Sequence, residues 1–188
     1  MNSEQGHSFS SKDYQHDQIK QGDYEDCDFL GISFSSKDFS DFSFLNCTFS
    51  ECDLSNAKIK RTAFRNVVFS NCKLIGLNFD DANQFNISFH FKNCMLNHSS
   101  FYGTDIRKTI FSSCSLIETD FTESNLSYSA FTNSNLTDAV FERTNLEYSD
   151  LRSAINFSID PNQNQLRKAR FSRDNLSGLL YQLNIIID

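Results

Sequence analysis

The chain has no Trp, and in 188 residues it uses one Pro and six Gly. So few chain breakers exclude a fold built on many conventional tight loops. No stretch approaches the ~18 consecutive apolar residues a membrane span requires. The N-terminal segment MNSEQGHSFSSKDYQ lacks the charged-then-apolar pattern of a secretory leader. A cytoplasmic protein with no membrane partner is therefore expected. Catalytic signatures are missing too: there is no P-loop, GxGxxG, GxSxG or HExxH, and no CxxC. His7, His16, His90 and His98 lie at no ligand spacing. No enzyme activity, cofactor or metal site is expected. Positive charge is scarce in the body of the chain. Residues 1–151 hold 12 Lys and Arg against 21 Asp and Glu, a net of −9, while residues 152–188 hold 5 against 3, a net of +2. An acidic body argues against direct nucleic-acid binding, which needs a basic surface, and suits a basic protein partner.

What is abundant is Phe, used 20 times and almost always in step. Every fifth residue from Phe9 through Tyr14, Ile19 and Tyr24 to Phe79 is Phe, Leu, Ile or Tyr, and a second unbroken run goes from Phe91 to Leu151. A period of five fits neither a helix nor a flat strand. It describes a chain that turns a corner every five residues, which makes the protein a repeat architecture. Two places before most of the large residues the chain is small or β-branched, as at Cys47, Ala57, Thr62, Val67, Thr104 and Ser129. One place before, it is often Asp or Asn, as at Asp28, Asp53, Asn125 and Asn145. Each unit therefore sends one large and one small side chain inward and three residues toward water.

Units such as TDFTE (119–123), SNLTD (134–138), TNLEY (144–148) and SDLRS (149–153) resemble the A(D/N)LXX motif of the pentapeptide-repeat family. The resemblance covers roughly residues 7–153. It implies an all-β fold, a right-handed quadrilateral parallel β-helix with one pentapeptide per side and about seven coils, closed by a short C-terminal α-helical cap. A 20-residue coil is also legible in like residues 20 apart: Phe9, Phe29, Phe49, Phe69 and Phe89; Phe101, Phe121 and Phe141; Leu96, Leu116 and Leu136. All six Cys fall at the small inward position, in three pairs 20 apart (Cys27/Cys47, Cys52/Cys72, Cys94/Cys114). That placement makes them buried small hydrophobes, with reduced thiols, rather than ligands or redox groups.

The pattern breaks twice. Phe79 and Phe91 are 12 apart where two repeats give 10, so two extra residues lie within 80–90, and Gln84 stands where a large apolar residue is due. There Phe85, Ile87, Phe89 and Phe91 alternate as in an ordinary strand. After Ser153 the repeat stops: residues 154–188 are expected to form a turn at Asp160-Pro161, a helix over about 173–184 capped by Ser172, and a tail. Leu176, Leu179, Leu180 and Leu183 would share one helix face, followed by Ile185, Ile186 and Ile187. Residues 1–6 are expected to be disordered.

The C-terminal segment is similar to that of pentapeptide-repeat proteins of the quinolone-resistance (Qnr) and microcin-immunity type. This resemblance implies a homodimer through the C-terminal helix, with Leu176, Leu179, Leu180, Leu183, Ile185 and Ile187 as candidate contacts. It further implies an acidic, DNA-mimicking rod that engages a type II topoisomerase, DNA gyrase or topoisomerase IV, and relieves poisons such as quinolones or peptide toxins. Candidate contacts are Asp80, Asp81, Asp105, Glu118, Asp120, Glu123, Asp138, Glu142, Glu147 and Asp150. Those relatives carry clear projecting loops, whereas this chain has only a two-residue shift. The alternative is a scaffold for another protein partner.

Overall fold

Because each side of a coil is five residues long, no strand exceeds four. The computed structural model describes residues 2–12, 18–183 and 185–186. The strands are β1 (Asn2–Gln5), β2 (Ser8–Ser10), β3 (Gly22–Glu25), β4 (Asp28–Leu30), β5 (Ser43–Leu45), β6 (Thr48–Ser50), β7 (Ala63–Arg65), β8 (Val67–Ser70), β9 (Phe89–Lys92), β10 (Ile110–Ser112) and β11 (Ala130–Thr132). They pair only in parallel, each with the strand one coil away, as in Phe29↔Phe49 and Phe111↔Phe131. The result is a four-sided β-solenoid.

The first face carries a seven-stranded sheet in the order β11-β10-β9-β8-β6-β4-β2, and the fourth face carries β1-β3-β5-β7. Single bridges hold the second face (Lys73↔Met95, Met95↔Ser115) and the third (Ser100↔Asp120, Asp120↔Val140). Inside, like rings stack at the coil spacing: Phe29–Phe49 at 4.6 Å and Phe111–Phe131 at 5.0 Å on the first face, Phe79–Phe101 at 4.4 Å on the third. Several small inward residues bond a carbonyl of the coil before, and others, such as Ser99 and Ser149, a carbonyl three residues back. Thr144 Oγ1 donates to Phe121 O at 2.8 Å, and Cys72 Sγ to Phe49 O at 3.3 Å. A larger side chain there would forfeit that bond.

The corners explain the rest of the motif. The last residue of nearly every unit is left-handed: among the described residues 23 non-Gly residues have positive φ, eight of them Asn and none β-branched. A Cβ-branched side chain tolerates that region worst. The Asp or Asn before each large residue closes the turn, accepting the N–H two residues on, as in Thr122 N to Asp120 Oδ1 (2.8 Å) and Ser127 N to Asn125 Oδ1 (3.1 Å). These are Asx turns.

Several expectations change. Asn2–Gln5 is not disordered but forms β1, in register with Gly22–Glu25. Backbone pairing suffices there although Glu4 occupies a position that elsewhere is apolar. The ladder also outlasts Ser153, since Asn145↔Gln165 and Asp150↔Arg170 add a further coil with Leu166 and Phe171 packed on the core. The single α-helix is replaced by two 3-10 segments, Arg173–Leu179 and Tyr181–Leu183. Gly178 lies so close to Phe157 that an added Cβ would fall 2.5 Å from its ring and carbonyl, and its own carbonyl accepts Ile159 N at 2.9 Å. Docking on the last coil thus takes the backbone partner an α-helix would need. Asn175 completes the closure, its amide donating to Leu151 O at 2.9 Å and Ala154 O at 3.1 Å. The Asp160-Pro161 turn forms as expected, with Asp160 accepting Asn162 N at 2.9 Å. Tyr14, His16 and Ile187 lie outside the described residues.

Candidate protein-interaction surfaces

The phase break is resolved by a substitution of one inward residue for another. Coils 20 residues apart run up to Ala63↔Asn83, and from Val67↔Phe89 onward the offset is 22, so the two extra residues lie between 84 and 88. The stacking column therefore passes from Phe69 to Phe91, not to Phe89. Gln84 turns outward and its amide donates to Phe79 O and Ala82 O, both at 2.9 Å. Phe89 occupies the small position above Val67, with its ring 5.5 Å from Phe64, 5.1 Å from Phe79 and 5.3 Å from Phe91. It fills the volume that Gln84 vacates. Of the four alternating residues, Ile87, Phe89 and Phe91 are buried while Phe85 is 69% exposed, under the Arg65 guanidinium at 5.7 Å. The break leaves one exposed Phe and a 3-10 turn, Phe79–Asp81, rather than a projecting loop.

The same offset brings Cys72 and Cys94 onto adjacent coils, since Lys73 bridges Met95. The expected three pairs thus become one pair, Cys27 and Cys47, and a run of four, Cys52, Cys72, Cys94 and Cys114. All six are free and buried. Burial pushes the Cys47 thiol up to about 12 and raises Cys27 as well. Cys27 and Cys47 are thus neutral packing, and among the described residues no His/Cys/Asp/Glu group is arranged to hold a metal.

The ten acidic candidates do not form one site. Asp105 and Glu147 lie on the fourth face and Asp150 on the first. Arg107 hydrogen-bonds Asp105, and Arg152 hydrogen-bonds Asp150, each holding its carboxyl below the ordinary carboxylate value. The other seven gather on the third face and its two corners: Asp80, Asp81, Glu118, Asp120, Glu123, Asp138 and Glu142. Over the rungs of Phe79, Phe101, Phe121 and Phe141 the only Lys or Arg among them is Arg143, bound to Glu123 at 2.9 Å. His98 stands 3.3 Å from Glu118, and the Tyr102 hydroxyl donates to Glu123 at 3.1 Å. Asp120 also closes its own turn, so its free oxygen alone faces outward.

At the C-terminal end Leu179 packs against the core, whereas Leu176, Leu183, Ile185 and Ile186 are 43%, 61%, 54% and 91% exposed. Leu180 is half-buried. In 3-10 geometry residues three apart align, so the expected single stripe becomes an apolar end. Sequence reasoning missed one further feature. At the corner between the fourth and first faces Tyr128 and Tyr148 stack at 4.8 Å, with Lys168 over Tyr148 at 5.4 Å. Their spacing of 20 is visible in the sequence, but they stand at outward positions. No helix among the described residues is long and apolar enough to cross a membrane.

Comparison with known structures places this rod beside trypsin-treated variant forms of QnrB1, a plasmid-mediated fluoroquinolone resistance protein. One matches with TM-score 0.64 at 17% identity over all of both chains, and a second with TM-score 0.65 at 17% identity over 99% of this chain and 98% of that one. HetL, a pentapeptide repeat protein of heterocyst differentiation regulation from the cyanobacterium Nostoc sp. strain PCC 7120, matches at TM-score 0.43 and 13% identity over 90% of this chain and 83% of that one. No curated protein matches the sequence. The family model of the pentapeptide repeat region matches residues 18–90 and 85–151. With its five-residue ladder, left-handed corners and four-sided coil, the chain belongs to the pentapeptide-repeat family.

Proposed function

We propose that the chain is a non-enzymatic, cytoplasmic interaction protein whose third face imitates the charge of duplex DNA toward a type II topoisomerase, DNA gyrase or topoisomerase IV. The observation that carries this is the gathering of seven carboxylates against Arg143 over the four rungs of the third face from Phe79 to Phe141, beyond the Lys58, Lys60 and Arg61 of the preceding rung. Duplex DNA carries one charge per ~1.7 Å. The three coil steps from Phe79 to Phe141 span about 14 Å at ~4.8 Å per step, a length of duplex with about eight charges. The net of six here is comparable, whereas −9 spread over four faces of the whole body falls well short. The shape likeness to QnrB1 supports the same reading. The exposed Leu176, Leu183 and Ile185 fit end-to-end pairing of two rods through the C-terminal end.

The test is a gyrase supercoiling assay with and without a quinolone. Micromolar protein is expected to alter supercoiling or its inhibition, and Asp120→Lys/Asp138→Lys/Glu142→Lys to lose the effect. No change with the unaltered protein would remove the topoisomerase reading. The second reading, a scaffold for another basic protein, draws on the compact phase break, which offers no projecting loop. Retention of the effect by the charge-reversed variant would put the contact on another face.

A further inference from the structure

One edge of the rod is complementary to itself. At the corner between the fourth and first faces, one left-handed residue per coil runs from Gly6 through Asp26, Asn46 and Asn66 to Lys108, Tyr148 and Lys168, all exposed except the half-buried Tyr148. Hydrogen bonds such as Asp26 N to Leu45 O (2.9 Å) and Tyr148 N to Arg167 O (3.0 Å) hold this edge on both sides of the break, where Asn66 N donates instead to Ser88 Oγ at 2.7 Å. Its Asp26 rung bears Asp23, Glu25, Asp26 and Asp28, and its last rung bears Arg167, Lys168 and Arg170, all exposed. Between them the edge is mostly neutral, with exposed Phe85 near the middle.

We propose that this edge binds the same edge of a second copy of the chain, antiparallel, about a two-fold axis near Phe85. In an isologous contact residue i meets j and j meets i. With the eight rungs from Asp26 to Lys168 in register, the acidic Asp26 rung of each rod meets the basic Lys168 rung of the other, at both ends, and the Gly6 rungs lie outside the contact. Asn66 comes opposite Tyr128. Phe85, on the fourth rung, comes opposite Arg107 and Lys108 on the fifth, repeating across the interface the cation–π contact it makes with Arg65. A parallel arrangement would set like charges side by side. The seven steps give a strip about 34 Å long and one corner wide, at the small end of specific interfaces. The contact is therefore weak and sensitive to salt. It is separate from the C-terminal end and independent of the acidic third face.

The experiment uses the full chain carrying Leu176→Asp and Leu183→Asp, which removes end-to-end pairing, with mass read by light scattering at high protein concentration in about 0.05 M salt, where the Debye length exceeds 10 Å. In this background the rod is expected to double in mass and to return to monomer at about 1 M salt, where the Debye length falls to 3 Å. Two charge-reversed forms follow, Asp23→Lys/Glu25→Lys/Asp26→Lys and Arg167→Glu/Lys168→Glu, which turn the net charge of the acidic rung positive and that of the basic rung negative. Each alone is expected to stay monomeric, because both ends of its edge then bear one sign. Mixed, the two are expected to pair, since every like-charged contact becomes opposite. Glu at 168 is compatible with the fold, as Glu51, Glu118 and Glu123 hold equivalent left-handed corners. A background rod that stays monomeric in low salt, reversed forms that still dimerise alone, or a mixture that does not pair would each overturn the proposal. Circular dichroism of each form separates loss of contact from loss of fold.

Discussion

At the scale of the residue, the motif's Asp or Asn is a turn element first and a charge second. Asn135 shows this without charge: its Oδ1 accepts Thr137 N at 3.2 Å, Thr137 Oγ1 at 2.7 Å and Asn156 Nδ2 at 3.0 Å. Removing a partly buried acceptor that serves three donors costs about 1–3 kcal/mol. Asn135→Ala is expected to lower the urea midpoint accordingly, and Asn135→Asp to retain most of the stability, because the accepting oxygen remains. An equal loss for both would mean that the amide nitrogen, not the oxygen, holds the corner. The same reasoning bears on pH. Hydrogen bonding from Arg152 keeps the folded-state pKa of Asp150 below its unfolded value. The pair's small contribution is then complete above about pH 4 and is lost as pH falls through the lower folded value.

At the scale of the element, the phase break marks where sequence reading succeeded and where it failed. The ladder, the coil length and the inward thiols were legible because large side chains recur without a miss on both sides of it. The stacking partner of Phe69 was not, because Phe89 and Phe91 both offer a ring and letter matching alone favours the spacing of 20. Only backbone register, Phe69↔Phe91, decides between them. The adjacency of Cys72 and Cys94 was hidden for the same reason. The left-handed corners were hidden because a period of five does not say which outward residue turns. The C-terminal helix was overestimated because leucines spaced for an α-helix also suit a 3-10 segment pinned at Gly178. A filled break makes a sharp prediction. Phe89 is 2% exposed among four rings, so Phe89→Ala should cost about 3–5 kcal/mol. Phe85→Ala, at an exposed ring, should change stability little. Denaturant titration of both variants checks it, and comparable losses would show that the exposed Phe85 supports the break as much as Phe89 does.

At the scale of the whole molecule, the rod is stacked in one dimension, so each coil is stabilised mainly by its two neighbours. A lesion in the middle should therefore act differently from one at an end. In the unaltered protein, pairing and ring stacking run continuously through the break, since β8 pairs β9 over four residues and Phe69 stacks on Phe91 at 5.5 Å. The two halves are then expected to unfold together. Phe89→Ala removes the ring that bridges Phe64 and Phe79 to Phe91 and so weakens the one junction between them. Tyr24 is buried in the N-terminal half, while Tyr128 is exposed in the C-terminal half. Amide exchange near each can therefore report its own half. In Phe89→Ala the two halves are expected to open at separate denaturant concentrations, with the C-terminal half outlasting the other. That half keeps its closure by Asn175 and the 3-10 segments, whereas β1 and β2 stand as the terminal strands of their sheets. Coincident opening in the variant would mean that the neighbouring faces carry the coupling across the break without Phe89.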